Sequence, residues 1–97
     1  DCDLESMQEI SCDELKTHFS EYLIVDVREK EEYAVFNIGG INIPLSELEN
    51  KLSQIPKEKP VVVHCQGGSR SRKAIQILKK NHGFRNLINL SNGLRDW

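Results

Sequence analysis

The sequence predicts an α/β domain, a mostly parallel β-sheet with helices packed on both faces, and three observations carry that prediction. Leu23-Ile24-Val25-Asp26-Val27 is a nearly continuous β-branched and apolar run, and Val61-Val62-Val63-His64 is another; such runs mark strands covered on both faces. Each is followed by a stretch of helical character, acidic over 29–36 and apolar on one face from Ser71 onward at Ala74, Ile75, Ile77 and Leu78. Strands that alternate with helices run in parallel, because each crossover returns the chain to the same end of the sheet.

Taken in order, residues 1–6 are polar, acidic and unpatterned, and read as a linker or cut end before a domain spanning 7–97. Residues 7–10 are a short extended lead-in. Ser11-Cys12-Asp13-Glu14 has the S-x-x-E form of a capping box and predicts a helix over 12–19. After the first buried strand and the acidic helix, Gly39-Gly40 breaks the chain, residues 41–43 give a brief strand, and Pro44 closes it. Ser46-Glu47-Leu48-Glu49 repeats the capping-box form and predicts a helix to about residue 52. Lys57-Glu58-Lys59-Pro60 is a turn before the second buried strand, Gly83 is placed to end the long helix, and 86–90 is the last strand. In such sheets ligands sit beyond the carboxyl ends of the strands, where both 26–29 and the loop after His64 lie.

Composition narrows the function classes. The 97 residues support one core, and with 38% hydrophobic residues, 29% charged residues and a net charge of -2 the balance does not suggest nucleic-acid binding. No apolar run approaches the roughly 20 residues of a membrane span, and the N-terminus lacks a signal-peptide pattern, so a cytoplasmic setting is the expectation. Cys2, Cys12 and Cys65 are odd in number and lack C-x-x-C spacing, which points away from a disulfide framework or structural zinc and toward a free thiol. No metal or cofactor is implied.

The thiol that stands out is Cys65, in His64-Cys65-Gln66-Gly67-Gly68-Ser69-Arg70-Ser71. A thiol becomes a useful nucleophile only as thiolate, and its usual pKa of about 8.5 falls at helix N-termini and beside cations. The helix expected from Ser71 directs unpaired N–H groups back at the loop, while Gly67 and Gly68 let backbone amides turn inward. Ser69 and Ser71 add hydroxyls, Arg70 adds a fixed positive charge, and Gln66 completes the loop. The result is a small anion-holding cradle around one sulfur. A buried structural cysteine is the commoner reading of a cysteine after a valine run, but it needs no glycine cradle. A Walker phosphate loop requires a Lys that is absent, and a metal site requires more ligands than His64 and Cys65, which point in opposite directions on a strand. His64 reads as structural.

Taken together, Asp26-Val27-Arg28-Glu29, Glu32-Tyr33, the segment 39–45, the HCxxGxRS loop and the closing Asn-Leu-x-x-Gly-Leu-x-x-Trp of 89–97 resemble a rhodanese-homology domain over nearly the whole chain. The resemblance implies a rhodanese-like fold and a sulfurtransferase whose Cys65 accepts sulfane sulfur as a persulfide, from thiosulfate or a persulfide donor, and passes it to a nucleophile. Thiolate stabilisation assists both the attack and the later departure of Cys65. It also implies that Asp26 and Arg28 brace the loop from the neighbouring strand end, with Asp26 accepting loop amides or pairing with a basic residue; a surface ion pair of little worth is the alternative.

Related phosphatases and arsenate reductases carry a loop one residue longer, with an arginine where this chain has Ser71. The tighter loop from Cys65 to Arg70 is sized for sulfur, so phosphatase activity is the runner-up; a non-catalytic interaction module is a further alternative, which Cys65 argues against. Asn37-Ile38-Gly39-Gly40 is most similar to rhodanese domains fused behind adenylating enzymes of molybdopterin and thiamine biosynthesis. That similarity implies a fused adenylating domain and, as sulfur acceptor, a ubiquitin-like carrier protein, with Arg72 and Lys73 as rim charges to meet it.

Overall fold

The computed structural model describes residues 8–91 and 93–96. Five strands, β1 (Gln8–Ile10), β2 (Leu23–Asp26), β3 (Ile41–Asn42), β4 (Val61–His64) and β5 (Leu87–Leu90), form one sheet in the order β1-β5-β4-β2-β3. Every pairing is parallel, as the alternation of strands and helices predicts. The expected linker at 1–6 and its boundary lie outside the described residues.

The two valine-rich runs become interior strands of the sheet, where both faces of a strand meet protein. Register sets Val25 beside Val63 and Asp26 beside His64, while Val61 pairs with Leu87. On one face, Val25, Val61, Val63 and Leu87 pack with Ala74, Ile75 and Leu78 of the long helix α3 (Ser69–His82) and with Leu48, Ile55 and Phe84. On the other, Ile24, Val62 and Leu90 pack with Ile10, Cys12 and Leu15, the last two from helix α1 (Cys12–Thr17). The period of two along each strand therefore sends Cys65 to the α3 face and His64 to the opposite one.

The helix boundaries correct the sequence reading in three places. α1 stops at Thr17, whose hydroxyl bonds back to the Asp13 carbonyl, and a 3-10 turn at Phe19–Glu21 follows. Its N-terminus is as expected, with Ser11 Oγ accepting the Glu14 amide at 3.1 Å. The helix expected from Ser46 is instead a pair of 3-10 turns, Leu45–Asn50 and Leu52–Gln54. Here the Glu47 amide closes on the Pro44 carbonyl at 2.8 Å and the Leu45 amide is tied to Val27, so Ser46 lies inside the turn and cannot cap it. The acidic helix α2 spans Lys30–Val35, with the Glu29 amide bonded to the Glu32 carboxylate. The third correction is that α3 begins at Ser69, two residues before the expected start, because Gly68 at φ 98 turns the chain directly into the helix; Gly83 ends it as predicted.

Leu78 is fully buried where α3 meets the sheet. Leu78→Ala is expected to lower unfolding stability by about 2–5 kcal/mol in urea titrations, through lost transfer energy and a residual cavity.

Candidate active site

Cys65 follows the last residue of β4 and Gly68 immediately precedes α3, so the intervening loop closes over the carboxyl end of the most buried strand. Within that loop the Gly68 amide donates to Cys65 Sγ at 3.0 Å, and Ser71 Oγ lies 3.6 Å from the sulfur. A left-handed Gly68 is what turns this amide inward, a conformation disfavoured by a side chain. Burial pushes the Cys65 thiol up; the amide and hydroxyl of Ser71, with the amides of Gly68 and Gly67, outweigh it and hold the thiol below its ordinary range. Cys65 is only 1% exposed, so the sulfur lies on the floor of the loop, with Gln66 and Gly67 exposed above it.

Ser71 is itself held from behind. Its hydroxyl donates to Asn89 Oδ1 at 2.5 Å, Asn89 Nδ2 donates to Glu9 Oε2 at 3.1 Å, and Glu9 also receives Arg72 Nη2 and Ser91 Oγ at 3.0 Å each. The amide of Asn89 is thereby oriented with its oxygen toward Ser71. The Ser71 hydroxyl also lies 3.0 Å from the Gly68 carbonyl, and the Cys65 thiol, while protonated, points its own hydrogen at Ser71 Oγ; on ionisation the Ser71 proton is placed to turn to the sulfur. The sequence reading missed Asn89 and Glu9 as site residues; the available signal was a polar residue in the middle of the apolar strand 86–90. It also assigned no role to Gly93. At φ 57 a Cβ on Gly93 would collide with the Cys65 carbonyl and the Gln66 backbone, and the Leu94 amide donates to that same carbonyl at 3.1 Å.

The remaining expected residues sit differently from the sequence reading. Arg70, expected to add a fixed positive charge to the cradle, carries that charge in a pair: Nη1 and Nη2 donate to Glu32 at 2.8 and 3.1 Å. Asp26 and Arg28 are buried, not a surface pair, and bind each other, with Nε 3.0 and 3.1 Å from the two carboxylate oxygens and Nη2 at 2.8 Å. The amide that Asp26 accepts is Arg28's own rather than one from the cysteine loop. Arg28 Nη2 also reaches the Phe36 carbonyl at 2.6 Å, so the pair braces the end of α2. His64 is buried with Nε2 3.9 Å from Asp26, and neither ring nitrogen has a hydrogen-bond partner among the described residues. Burial holds its pKa below the ordinary value, against the pull of Asp26, which keeps the ring neutral. Ser69 is exposed at the start of α3. Beside the loop runs a groove of about 450 Å³ lined by Arg28, Glu31, Glu32, Val35, Phe36 and Gln66. Among the described residues no helix is long and apolar enough to cross a membrane.

Residues 11–97 match the family model described as "Rhodanese-like domain". A protein named "Sulfurtransferase" from Allochromatium vinosum is 33% identical over 77% of this chain and 70% of its own length. The "Adenylyltransferase and sulfurtransferase uba4" of Ogataea parapolymorpha is 35% identical over 97% of this chain, which spans only 24% of that relative. Among solved structures, a rhodanese-like domain protein from Staphylococcus aureus superposes with a TM-score of 0.85 at 33% identity, covering 94% of this chain and 91% of that one.

Two substitutions test the cradle. Ser71→Ala removes a hydroxyl that favours the anion, so the pH midpoint of Cys65 alkylation should move upward from its wild-type position; no movement would remove Ser71 from the anion's support. Gly93→Ala should lower stability by about 1–3 kcal/mol through overpacking alone, read by urea denaturation, and should slow Cys65 alkylation by displacing the loop.

Proposed function

The chain belongs to the rhodanese-like domain family, and from that premise we propose that it is a sulfurtransferase in which Cys65 carries sulfane sulfur as a persulfide. The observation that carries this reading is the Gly68 amide on Cys65 Sγ, within a ring of donors that outweighs burial and favours the thiolate. Such a ring serves both halves of a transfer. In the first, the Cys65 thiolate attacks the donor's outer sulfur, a sulfur–sulfur bond forms, and the donor departs with the electron pair of the broken bond. In the second, the acceptor attacks the terminal sulfur and Cys65 leaves as a thiolate into the same donors.

The acceptor is the finer part of the proposal. A relative whose name joins adenylyltransferase and sulfurtransferase supports an acceptor of the ubiquitin-like carrier type, whose adenylated terminus is activated by a companion domain. Gln66 and Gly67 are the exposed residues above the sulfur, and the absence of a side chain at Gly67 leaves room for a narrow chain end. The molybdopterin or thiamine context belongs to this same finer reading. Cys65 is a free thiol, and a cytoplasmic setting belongs to the same finer reading.

Intact-mass and peptide mass spectrometry after exposure to excess thiosulfate or an alkyl persulfide tests the reading. One added sulfur on Cys65 is expected, released by cyanide, lost in Cys65→Ala and kept in Cys2→Ser and Cys12→Ser. Absence of added sulfur on Cys65 with both donors would overturn it.

A further inference from the structure

Among the described side chains, three arginines on or beside the cysteine loop each have a carboxylate partner. Arg28 is held by buried Asp26, Arg72 by Glu9 at 3.0 Å, and Arg70 by both oxygens of Glu32. The Arg70 pair is the one that bears on substrate, since Arg70 stands in the first turn of α3 directly after the loop and feels the Cys65 charge. Glu32 is in turn held in place by the backbone, because its Oε1 also accepts the Glu29 amide at 2.9 Å, at the first turn of α2. The Arg70 guanidinium, followed by that amide, pushes the Glu32 carboxyl from 4.5 down to about 2. A depressed carboxyl is fully ionised above its unfolded value, so the pair is complete above pH about 4.5 and is lost only as the pH falls toward about 2. The adjoining groove adds the carboxylate of Glu31, with Val35 87% and Phe36 50% exposed. Among the described residues, neither the cysteine loop and its first helical turn nor the adjoining groove offers an approaching anion a cation without a carboxylate partner.

We propose that Glu32 is a specificity-determining residue: by pinning Arg70 it withholds positive charge from the mouth of the Cys65 cradle and biases the site against small anionic substrates. Backbone amides then stabilise the sulfur's own charge, while the charge of the incoming molecule finds no partner. For sulfur transfer, which rests on the persulfide reading above, the favoured donor presents its sulfane sulfur on an uncharged or protein-borne chain rather than as the thiosulfate dianion.

The charge effect is measurable without any sulfur transfer. Iodoacetamide and iodoacetate react with a thiolate by the same displacement, forming a sulfur–carbon bond and releasing iodide, and differ by one negative charge. Their rate ratio at Cys65, followed by peptide mass spectrometry, cancels the thiolate fraction and loop access. Glu32→Gln should raise the iodoacetate-to-iodoacetamide ratio about tenfold by unmasking one elementary charge near the reacting atom. Glu32→Asp, which keeps the carboxylate, should restore part of the discrimination, and Glu32→Gln combined with Arg70→Gln should return the ratio to near the wild-type value. An unchanged ratio in Glu32→Gln, or a ratio still raised in the double variant, overturns the proposal. Wild type alone supplies a check that needs no variant: its ratio should not exceed that of the same cysteine in the urea-unfolded chain, and a ratio tenfold higher also overturns it. With thiosulfate as donor, Glu32→Gln should raise kcat/KM about tenfold, mainly through KM. A raised alkylation ratio with no sulfur transfer by any variant would sink the persulfide reading and leave the charge assignment standing; active sulfur transfer with an unmoved ratio would do the reverse.

Discussion

The contact between the Gly68 amide and Cys65 Sγ is the constraint on which the rest of the structure depends. To make it, the chain must leave a buried strand, reverse within three residues and enter a helix with its first amides aimed at the sulfur. A left-handed glycine permits the reversal, and a strand covered on both faces keeps its starting point fixed. Burial alone would raise the thiol's pKa and silence it. The fold therefore has to supply enough inward-facing donors to reverse that sign, and the amides of Gly67, Gly68 and Ser71 with the Ser71 hydroxyl do so.

Dipoles rather than ions perform this stabilisation, and that division has a structural cause. A charged side chain at the loop floor would need a partner in a low-dielectric setting, and the partner would cancel the benefit to the sulfur. Backbone amides carry no net charge and need none. The ions stand at the rim instead, where Arg70 and Glu32, each more than a third exposed, satisfy one another. The pair links the loop to α2 across 38 residues of sequence and fixes where the loop's first helical turn lies.

The strands, the loop and the cysteine were legible in the sequence because their signals are local. Two-sided burial writes a continuous apolar run such as 61–63, and a required reversal writes Gly67-Gly68. What was illegible depends on residues far apart in the chain. The partner of Arg70 goes unread because nothing within its own segment announces Glu32, and Asn89 bonds Glu9 across 80 residues. Ser46 misled for a local reason: its S-x-x-E spacing is that of a cap, but the bond from Leu45 to Val27 commits the backbone to a 3-10 turn one residue earlier. Asp26 and Arg28 were placed at the correct strand end, yet their burial, which decides their worth, is a property of the packed sheet.

That buried pair explains how the loop's rim is held. An ion pair removed from water contributes little net stability when intact, but loss of one partner strands a charge, at about 3–5 kcal/mol. Asp26 and Arg28 avoid that penalty by holding one another, and Nη2, which bonds Asp26, also reaches the Phe36 carbonyl just beyond α2. The Asn42 side chain, from the neighbouring strand, binds the carbonyls of both residues at 3.1 and 3.0 Å. The carboxyl end of β2 is thus locked to β3 and to α2, and α2 in turn presents Glu32 to Arg70. From the opposite side, Gly93 and Leu94 press on and bond the Cys65 carbonyl. The cysteine loop is consequently clamped between an ionic tether and a steric one, while the hydrogen-bond donor closest to the sulfur is an uncharged backbone amide.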